Sequence, residues 1–415
     1  MHVSPVLTWL LVGLALLALL GVVLEEITHV SKAKVTLFLG TLSWVLLYVF
    51  GGNGEMLEAT QRGFAESIEE IANLWLFLVA AMTFVAYLNK KGLIENLIYL
   101  VLPARISERA LLFMTGAFCF VFSSLADNIT ATLVSVTLIL SLRLPLDKTI
   151  RFATLVVFAV NSGGVALITG DVTTLMIFLA DKVEILDLLL LVPPALSTVV
   201  LLAFLLSRPL TGTVEVERRI NAVRPVDLAI AGIFLCTILL TIVGNVAFQI
   251  PPVLSFLTGL SVMFLVARFF NEDIDNDPIL EYIRVIEFET LLFFLGILLL
   301  VGMLKEIHVL DSLLKLYDIL PPMAANYVMG LLSALIDNVP LTAALLKSGI
   351  TMSDADWMGL TYAVGVGGSL LVIGSAAGIV AMSKVQGLTF RLYARYGVVL
   401  LVAYTLGYLG VYGMG

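Results

Sequence analysis

The chain has 415 residues, of which 60% are apolar and only 13% charged, with a net charge of −8 and a mean hydropathy of +1.08. Soluble globular proteins carry about a quarter charged residues, so this composition excludes one and points to an all-α polytopic membrane protein whose helices satisfy their own backbone in hydrocarbon. Cys119 and Cys236 lie inside apolar runs, and His2, His29 and His308 are too scattered to chelate a metal, so neither a disulfide framework nor a metal centre is expected.

The first apolar run, 5–24, has no Lys or Arg before it and ends in Glu25-Glu26 rather than at a small-residue cleavage site, which reads as a retained span. Further spans are predicted at 33–50 and 71–89, with 53–70 between them as a polar external stretch. A short segment, 93–102, stops at Pro103, and three longer stretches follow at 107–142, 149–180 and 188–207. After a polar linker the order recurs: 226–247, 252–269, 288–304, a short 309–320 ending at Pro321-Pro322, then 323–348, 355–383 and 396–412. The chain therefore divides into a first repeat (1–207), a cytoplasmic linker (208–225) and a second repeat (226–415). The acidic stretch "NEDIDNDP", 271–278, reads as a solvated cytoplasmic loop.

If the loop with Lys32 and Lys34 is cytoplasmic, eighteen Lys and Arg fall inside and five outside, with the N-terminus outside. That bias requires 107–142 to enter and leave on one side, because Arg105 and Arg109 precede it and Arg143, Lys148 and Arg151 follow it. It is predicted to be a re-entrant hairpin. Its return arm, 129–142, has 14 residues and reaches roughly 21 Å, short of the about 30 Å of hydrocarbon. The second hairpin, 323–348, enters from the opposite side by the same count, so the halves form an inverted repeat, with a binding site expected near the midplane.

The two hairpins carry the same signal, "SSLADNIT" at 123–130 and "SALIDNVP" at 333–340. A carboxylate at membrane depth costs several kcal/mol unless it is covered, hydrated or bound to a cation. Capping of a helix start explains one such Asp better than it explains two in register. Asp127 and Asp337 are expected to meet, with amide oxygens from Asn128 and Asn338 and the hydroxyl of Thr130 beside them. Oxygen ligands of this kind suit a hard cation such as Na⁺ or Li⁺.

After each hairpin comes a glycine motif, "NSGGVALITGDVTT" at 161–174 and "GVGGSLLVIGSAAG" at 365–378. Glycines in a span allow the helix to unwind where it lines a cavity, so two broken transmembrane helices are predicted, with Asp171, Thr173 and Thr174 past the first break and Ser375 past the second. Glu69, Glu70, Glu287 and Glu289 sit at span ends, where capping or pairing is expected.

At these motifs the chain resembles the NhaD-type sodium/proton antiporters of the ion transporter superfamily. The matching stretches are "AAMTFV", "SSLADNITATLV", "NSGGVALITGDVTT", "FETLLFFLGI", "LLSALIDNVPLTAAL" and "GVGGSLLVIGSAAGIVAM", in the family's order through both halves. The resemblance implies exchange of cytoplasmic Na⁺ or Li⁺ for external H⁺, a homodimer with a scaffold and a moving transport domain, and a bacterial inner-membrane location. It implies a site formed by Asp127, Asn128, Asn161, Asp171, Thr173, Thr174, Asp337, Asn338 and Ser375, with Na⁺ at Asp127, Asp171 and Asp337. The chain departs from the family where an acid is expected after "AMT": it has Val85-Ala86-Tyr87. No enzyme activity, resident cofactor or nucleic-acid partner is expected.

A Na⁺-coupled carrier of dicarboxylate-type anions is the alternative within the superfamily. Hairpin tips there resemble Ser-Asn-Thr, whereas a carboxylate at both tips repels an anion and attracts a cation. Sharing of Asp127, Asp171 and Asp337 between protons and Na⁺, with the hairpin-bearing domain exposing the site to each side in turn, is the expected mechanism. A channel or sensor is disfavoured by two broken-helix repeats.

Overall fold

The structure, a computed structural model, describes residues 4–28, 30–52, 54–216, 222–269, 283 and 286–414. Helices dominate: α1 (Pro5–Val23), α2 (Glu25–Thr28), α3 (Lys32–Phe50), α4 (Glu55–Lys90), α5 (Leu93–Val101), α6 (Glu108–Leu125), α7 (Asn128–Ser141), α8 (Leu146–Gly164), α9 (Val172–Leu179) and α10 (Val192–Ser207) precede the linker. After it come α11 (Pro225–Phe248), α12 (Pro252–Phe269), α13 (Phe288–Glu306), α14 (Asp311–Ile319), α15 (Pro322–Ser333), α16 (Asn338–Lys347), α17 (Asp354–Gly367), α18 (Ala376–Lys384), α19 (Phe390–Ala394) and α20 (Gly397–Tyr412). Among the described residues eight helices are long and apolar enough to cross a membrane, and large apolar side chains such as Trp9, Phe38, Leu239 and Leu240 stand exposed on their outer faces. The chain is an all-α multi-pass membrane protein, as its composition requires. The acidic stretch 271–278 lies outside the described residues, as do Arg218, Arg219 and Arg284 of the charge count.

Two local expectations are corrected. Helix α4 starts at Glu55 and not at residue 71, so 55–70 is helical. Thr60, Gly63, Ser67, Ile71, Leu74 and Leu78 are buried along it at intervals of three and four, a helical stripe whose first half is small residues that a hydropathy reading overlooks. The linker also contributes a strand. β1 (Arg105–Ser107) and β2 (Thr213–Glu215) pair antiparallel, with Arg105 opposite Glu215. Their neighbour Glu108, 4% exposed, forms an ion pair with Lys148 and accepts from the Gly212 N–H at 3.0 Å, while Arg109 Nε donates to the Leu210 carbonyl at 2.8 Å. Extended linker backbone thus finds its partners at the base of α6.

The chain forms two compact units. The first comprises Met1–Leu78, Glu287–Ala325 and Val339–Ser353. Its centre is the packing of α3 on α13, where Trp44 Nε1 donates to the Leu299 carbonyl at 2.8 Å and the indole meets the edge of Phe64. Within it Glu70 pairs with Lys347 at 2.6 Å and Glu66 with Lys305 at 3.5 Å, both acids inside α4, while Glu287 precedes α13 and accepts from Thr290 Oγ1 at 3.3 Å.

The second unit comprises Val79–Ile286, Asn326–Asn338 and Asp354–Gly415. It is organised around two helices buried on every side, α8 over 152–164 and α17 over 357–367; an element apolar all round belongs in an interior. Both end where the glycine motifs predicted, and both are followed by a short irregular segment and a short helix, α9 and α18. The 107–142 and 323–348 stretches are likewise interrupted, at 126–127 between α6 and α7 and at 334–337 between α15 and α16.

Equivalent positions make equivalent contacts in the two halves. A methyl on Gly163 would run into the Phe120 carbonyl of α6, and one on Gly367 into the Gly330 carbonyl of α15. Phe120 and Gly330 each stand three residues before the shared Ser of the two octets. Backbone lies on backbone at both crossings, and only glycine leaves the room. Gly163→Ala and Gly367→Ala should each destabilise the protein by about 1–3 kcal/mol through overpacking. Thermal unfolding in detergent reads this as a lowered Tm, and an unchanged Tm in either variant would show that the helices separate freely there.

Candidate functional site

The interrupted stretches of the second unit bring four helix starts into play, those of α7, α9, α16 and α18, and a polar residue stands at each. Asp127 is the N-cap of α7, Asp171 of α9 and Ser375 of α18, while Asp337 immediately precedes α16. Helix starts present unpaired N–H groups and the positive end of the helix dipole, so acidic or hydroxyl oxygens belong there.

Asp127 is half-buried and its contacts are local. Oδ1 accepts from the Thr130 N–H at 2.9 Å and Oδ2 from Thr130 Oγ1 at 2.7 Å. Thr130 is therefore its partner at the tip. A carboxylate offers about four lone-pair sites, so the cap leaves Asp127 with acceptor capacity.

Asp171, 7% exposed, is the convergence point. Its Oδ1 accepts from the Thr173 N–H at 3.2 Å, and its Oδ2 accepts from Asn338 Nδ2 at 3.1 Å. Asn128 of the first tip stands beside it, both side chains bordering Gly164, and Asp337, 6% exposed, lies within reach of its charge. Asn128 is held in turn by Ser123, whose Oγ donates to its Oδ1 at 2.7 Å. Gly164 makes the approach possible, since a Cβ there would sit 2.7 Å from Asn128 Oδ1 and 3.0 Å from Asp171 Cβ. Thr174 Oγ1 donates to the Gly164 carbonyl at 3.3 Å, taking up one of the acceptors freed by the end of α8.

A second polar pair lies beside the other break. Asn161, fully buried in α8, donates from Nδ2 to the Val157 carbonyl at 2.8 Å and to Ser375 Oγ at 3.0 Å. Because a carbonyl can only accept, Val157 fixes which way the amide points. Asn161 Oδ1 is left buried with no partner among the described residues, and the same holds for the neighbouring Ser162 Oγ. Buried acceptors are satisfied in the great majority of cases, so an unpartnered amide oxygen beside a break is a feature a cation could use.

The arrangement gathers Asn128, Asp171, Asp337 and Asn338, and it joins Asn161 to Ser375. Among the described residues no three acidic, His or Cys side chains stand together as a metal-ligand group. The two acids within reach of each other are Asp171 and Asp337, whereas Asp127 turns to Thr130, which offers both an N–H and an O–H three residues along the same helix. Every other donor is a hard oxygen, suited to an alkali cation rather than a soft metal. Ser123, Ser162 and Gly164 were not singled out from the sequence; Ser123 had a signal, because Ser opens both octets. Where an acid was expected after "AMT", Tyr87 instead donates to an acid from another element, Asp227 at the start of α11, at 2.6 Å.

The family described as citrate transporter matches residues 2–365. Similar proteins include the Na(+)/H(+) antiporter NhaD of Alkalimonas amylolytica, 30% identical over 97% of this chain and 89% of its own. The Na(+)/H(+) antiporter NhaD of Vibrio cholerae is 30% identical over 92% of this chain and 87% of its own. Sodium/proton antiporter 1 of Arabidopsis thaliana is 27% identical over 90% and 69%.

The Asn161–Ser375 bond predicts a measurable coupling. In a double-mutant cycle of Asn161→Ala and Ser375→Ala, followed by thermal unfolding in detergent, the two changes should be non-additive by about 1 kcal/mol. Strict additivity would remove the bond from the account.

Proposed function

Because the chain belongs to the citrate transporter family, and at 30% identity over nearly its whole length to the NhaD antiporters, we propose that it is a secondary active transporter exchanging cytoplasmic Na⁺ or Li⁺ for external H⁺. The observation that carries this reading is the buried pair Asp171 and Asp337, set among amide and hydroxyl oxygens at helix breaks. The family's description names citrate, but two neighbouring carboxylates repel an anionic substrate and attract a cation. An organic-anion carrier is therefore disfavoured by the same observation.

The cation site comprises Asp127, Asn128, Thr130, Asn161, Asp171, Thr173, Thr174, Asp337, Asn338 and Ser375, with Na⁺ held by carboxylate oxygens of Asp171 and Asp337 and by amide oxygens, and Asp127 capping α7 at the edge of the site. The paired order of breaks and the matching crossings at Gly163 and Gly367 support an inverted repeat of 1–207 and 226–415 joined by the linker 208–225. In this reading α6–α7 and α15–α16 are re-entrant hairpins, α8–α9 and α17–α18 are broken transmembrane helices, and the N-terminus lies outside. The protein works as a homodimer in a bacterial inner membrane, each protomer with a scaffold and a moving transport domain. Protons and Na⁺ compete for the same carboxylates, and motion of the hairpin-bearing domain exposes the loaded site to each side in turn. No resident cofactor takes part.

Competition has a sign. As pH falls, protons displace Na⁺, so the apparent KM for Na⁺ should rise, by up to about tenfold per pH unit for each proton displaced. Initial rates in proteoliposomes across Na⁺ concentrations and pH check this; a KM independent of pH would end the shared-carboxylate mechanism. Asp171→Asn should abolish exchange in a protein that still folds, and near-normal exchange in that variant would remove Asp171 from the site. For the topology, single cysteines flanking 107 and 142 should both label from the cytoplasm and those flanking 323 and 348 both from outside. Labelling from opposite sides within either pair would replace the hairpin by two full spans.

A further inference from the structure

Position 161 of α8 and position 365 of α17 match in the two glycine motifs, each ten residues before the residue that caps the helix after the break, Asp171 or Ser375. Each of the two positions faces the cap of the other half. Asn161 donates from Nδ2 to Ser375 Oγ at 3.0 Å. Gly365 borders Asp171: a Cβ built on it would stand 3.8 Å from Asp171 Oδ2, in van der Waals contact, and would run into Cγ1 of Val165, the residue that ends α8. Gly365 and Val165 are both buried.

The pairing is the reverse of what stability asks. A hydrogen bond to a charged group stabilises more than one to a neutral group, so an amide at this position belongs opposite the carboxylate. Instead the amide stands opposite the neutral Ser375, and the residue without a side chain stands opposite Asp171. Asp171 is hydrogen-bonded by the Thr173 N–H and by Asn338 Nδ2, which occupy two of the about four lone-pair sites of a carboxylate. Towards α17 its Oδ2 faces Gly365, which has no side chain to donate. A buried carboxylate short of donors is costly, and a cation on that side offsets the cost. We propose that Gly365 is a specificity-determining residue of the cation site: the space it leaves beside Asp171 Oδ2 holds the alkali cation and limits its size. The inference rests on the exchange reading above and adds to it where the cation sits and what bounds it. A methyl at 365 narrows that space, and Li⁺, the smaller ion, tolerates the narrowing better than Na⁺.

The test uses the full-length protein in proteoliposomes and compares wild type with Gly365→Ala, Val165→Ala and the double variant, each first checked for a cooperative melt in detergent. Initial rates of proton exchange across Na⁺ and, separately, Li⁺ concentrations give a KM for each ion. Gly365→Ala should raise the KM for Na⁺ by about tenfold and that for Li⁺ by less than about threefold. Val165→Ala alone should lower Tm by opening a cavity and leave the ratio of the two KM values as in wild type. In the double variant the methyl at 365 no longer meets Val165 Cγ1 but still stands beside Asp171 Oδ2, so the Tm lost to that clash returns while the shifted KM ratio stays. The double variant also carries the test if Gly365→Ala does not fold. Equal changes in both KM values, an unchanged KM for Na⁺, or recovery of the KM ratio together with Tm in the double variant would mean that Gly365 only makes room for Val165, and would overturn the proposal. Absence of Na⁺- and Li⁺-dependent proton movement in the wild type would instead remove the exchange reading itself, independently of the variants.

Discussion

A carboxylate buried in an apolar body has to be met by directed donors, and in this protein the requirement falls on Asp171. Its oxygens are met by the N–H of Thr173, which is left unpaired by the backbone because a helix begins there, and by the amide of Asn338, which arrives from the other half of the chain. The break in α8–α9 is therefore part of the compensation. A continuous helix would have used the Thr173 N–H internally and left the charge without that partner. Residues 152–164 of α8 are buried beside it, and Gly164 lets Asn128 and Asp171 approach closely.

The second half repeats the frame without the charge. Gly367 lies on α15 as Gly163 lies on α6, and Gly374 reaches the Ala334 carbonyl as Gly170 reaches that of Ser123. Yet Ser375 stands where Asp171 stands in the first half, and a neutral hydroxyl needs less compensation. Its partners are Asn161 and the Gly378 N–H. Repetition of backbone geometry with unequal side-chain chemistry concentrates the negative charge on one carboxylate and its neighbour Asp337. It also leaves Asn161 Oδ1 as an unused acceptor beside the break at Ser375.

The positions of most spans, both interruptions of the hairpin stretches and both breaks at the glycine motifs were legible, because hydropathy and glycine content act over a few residues. Where side chains pack by size and not by polarity the reading missed the structure. The helix over 55–70 buries Thr60, Gly63 and Ser67, which look solvated in a hydropathy window. The strand in the linker was equally hidden, since 213–215 gains its partner from β1, more than a hundred residues earlier. Asp127 shows the opposite case. Its capping of α7 through Thr130 is a local event, readable from an Asp three residues before a Thr.

By itself the sequence determined that this chain lives in a membrane as helices, that the same motif order is used twice, and that Asp, Asn and Ser oxygens stand at interruptions. Those are consequences of composition and short-range spacing, which need no knowledge of neighbours. Tertiary structure alone decided which donor meets which lone pair: Asn338 on Asp171, and Asn161 on Ser375, across separations of 167 and 214 residues. Hydrogen bonds act over about 3 Å, so partners so far apart in sequence are chosen by how the buried helices cross, and no local pattern encodes that crossing.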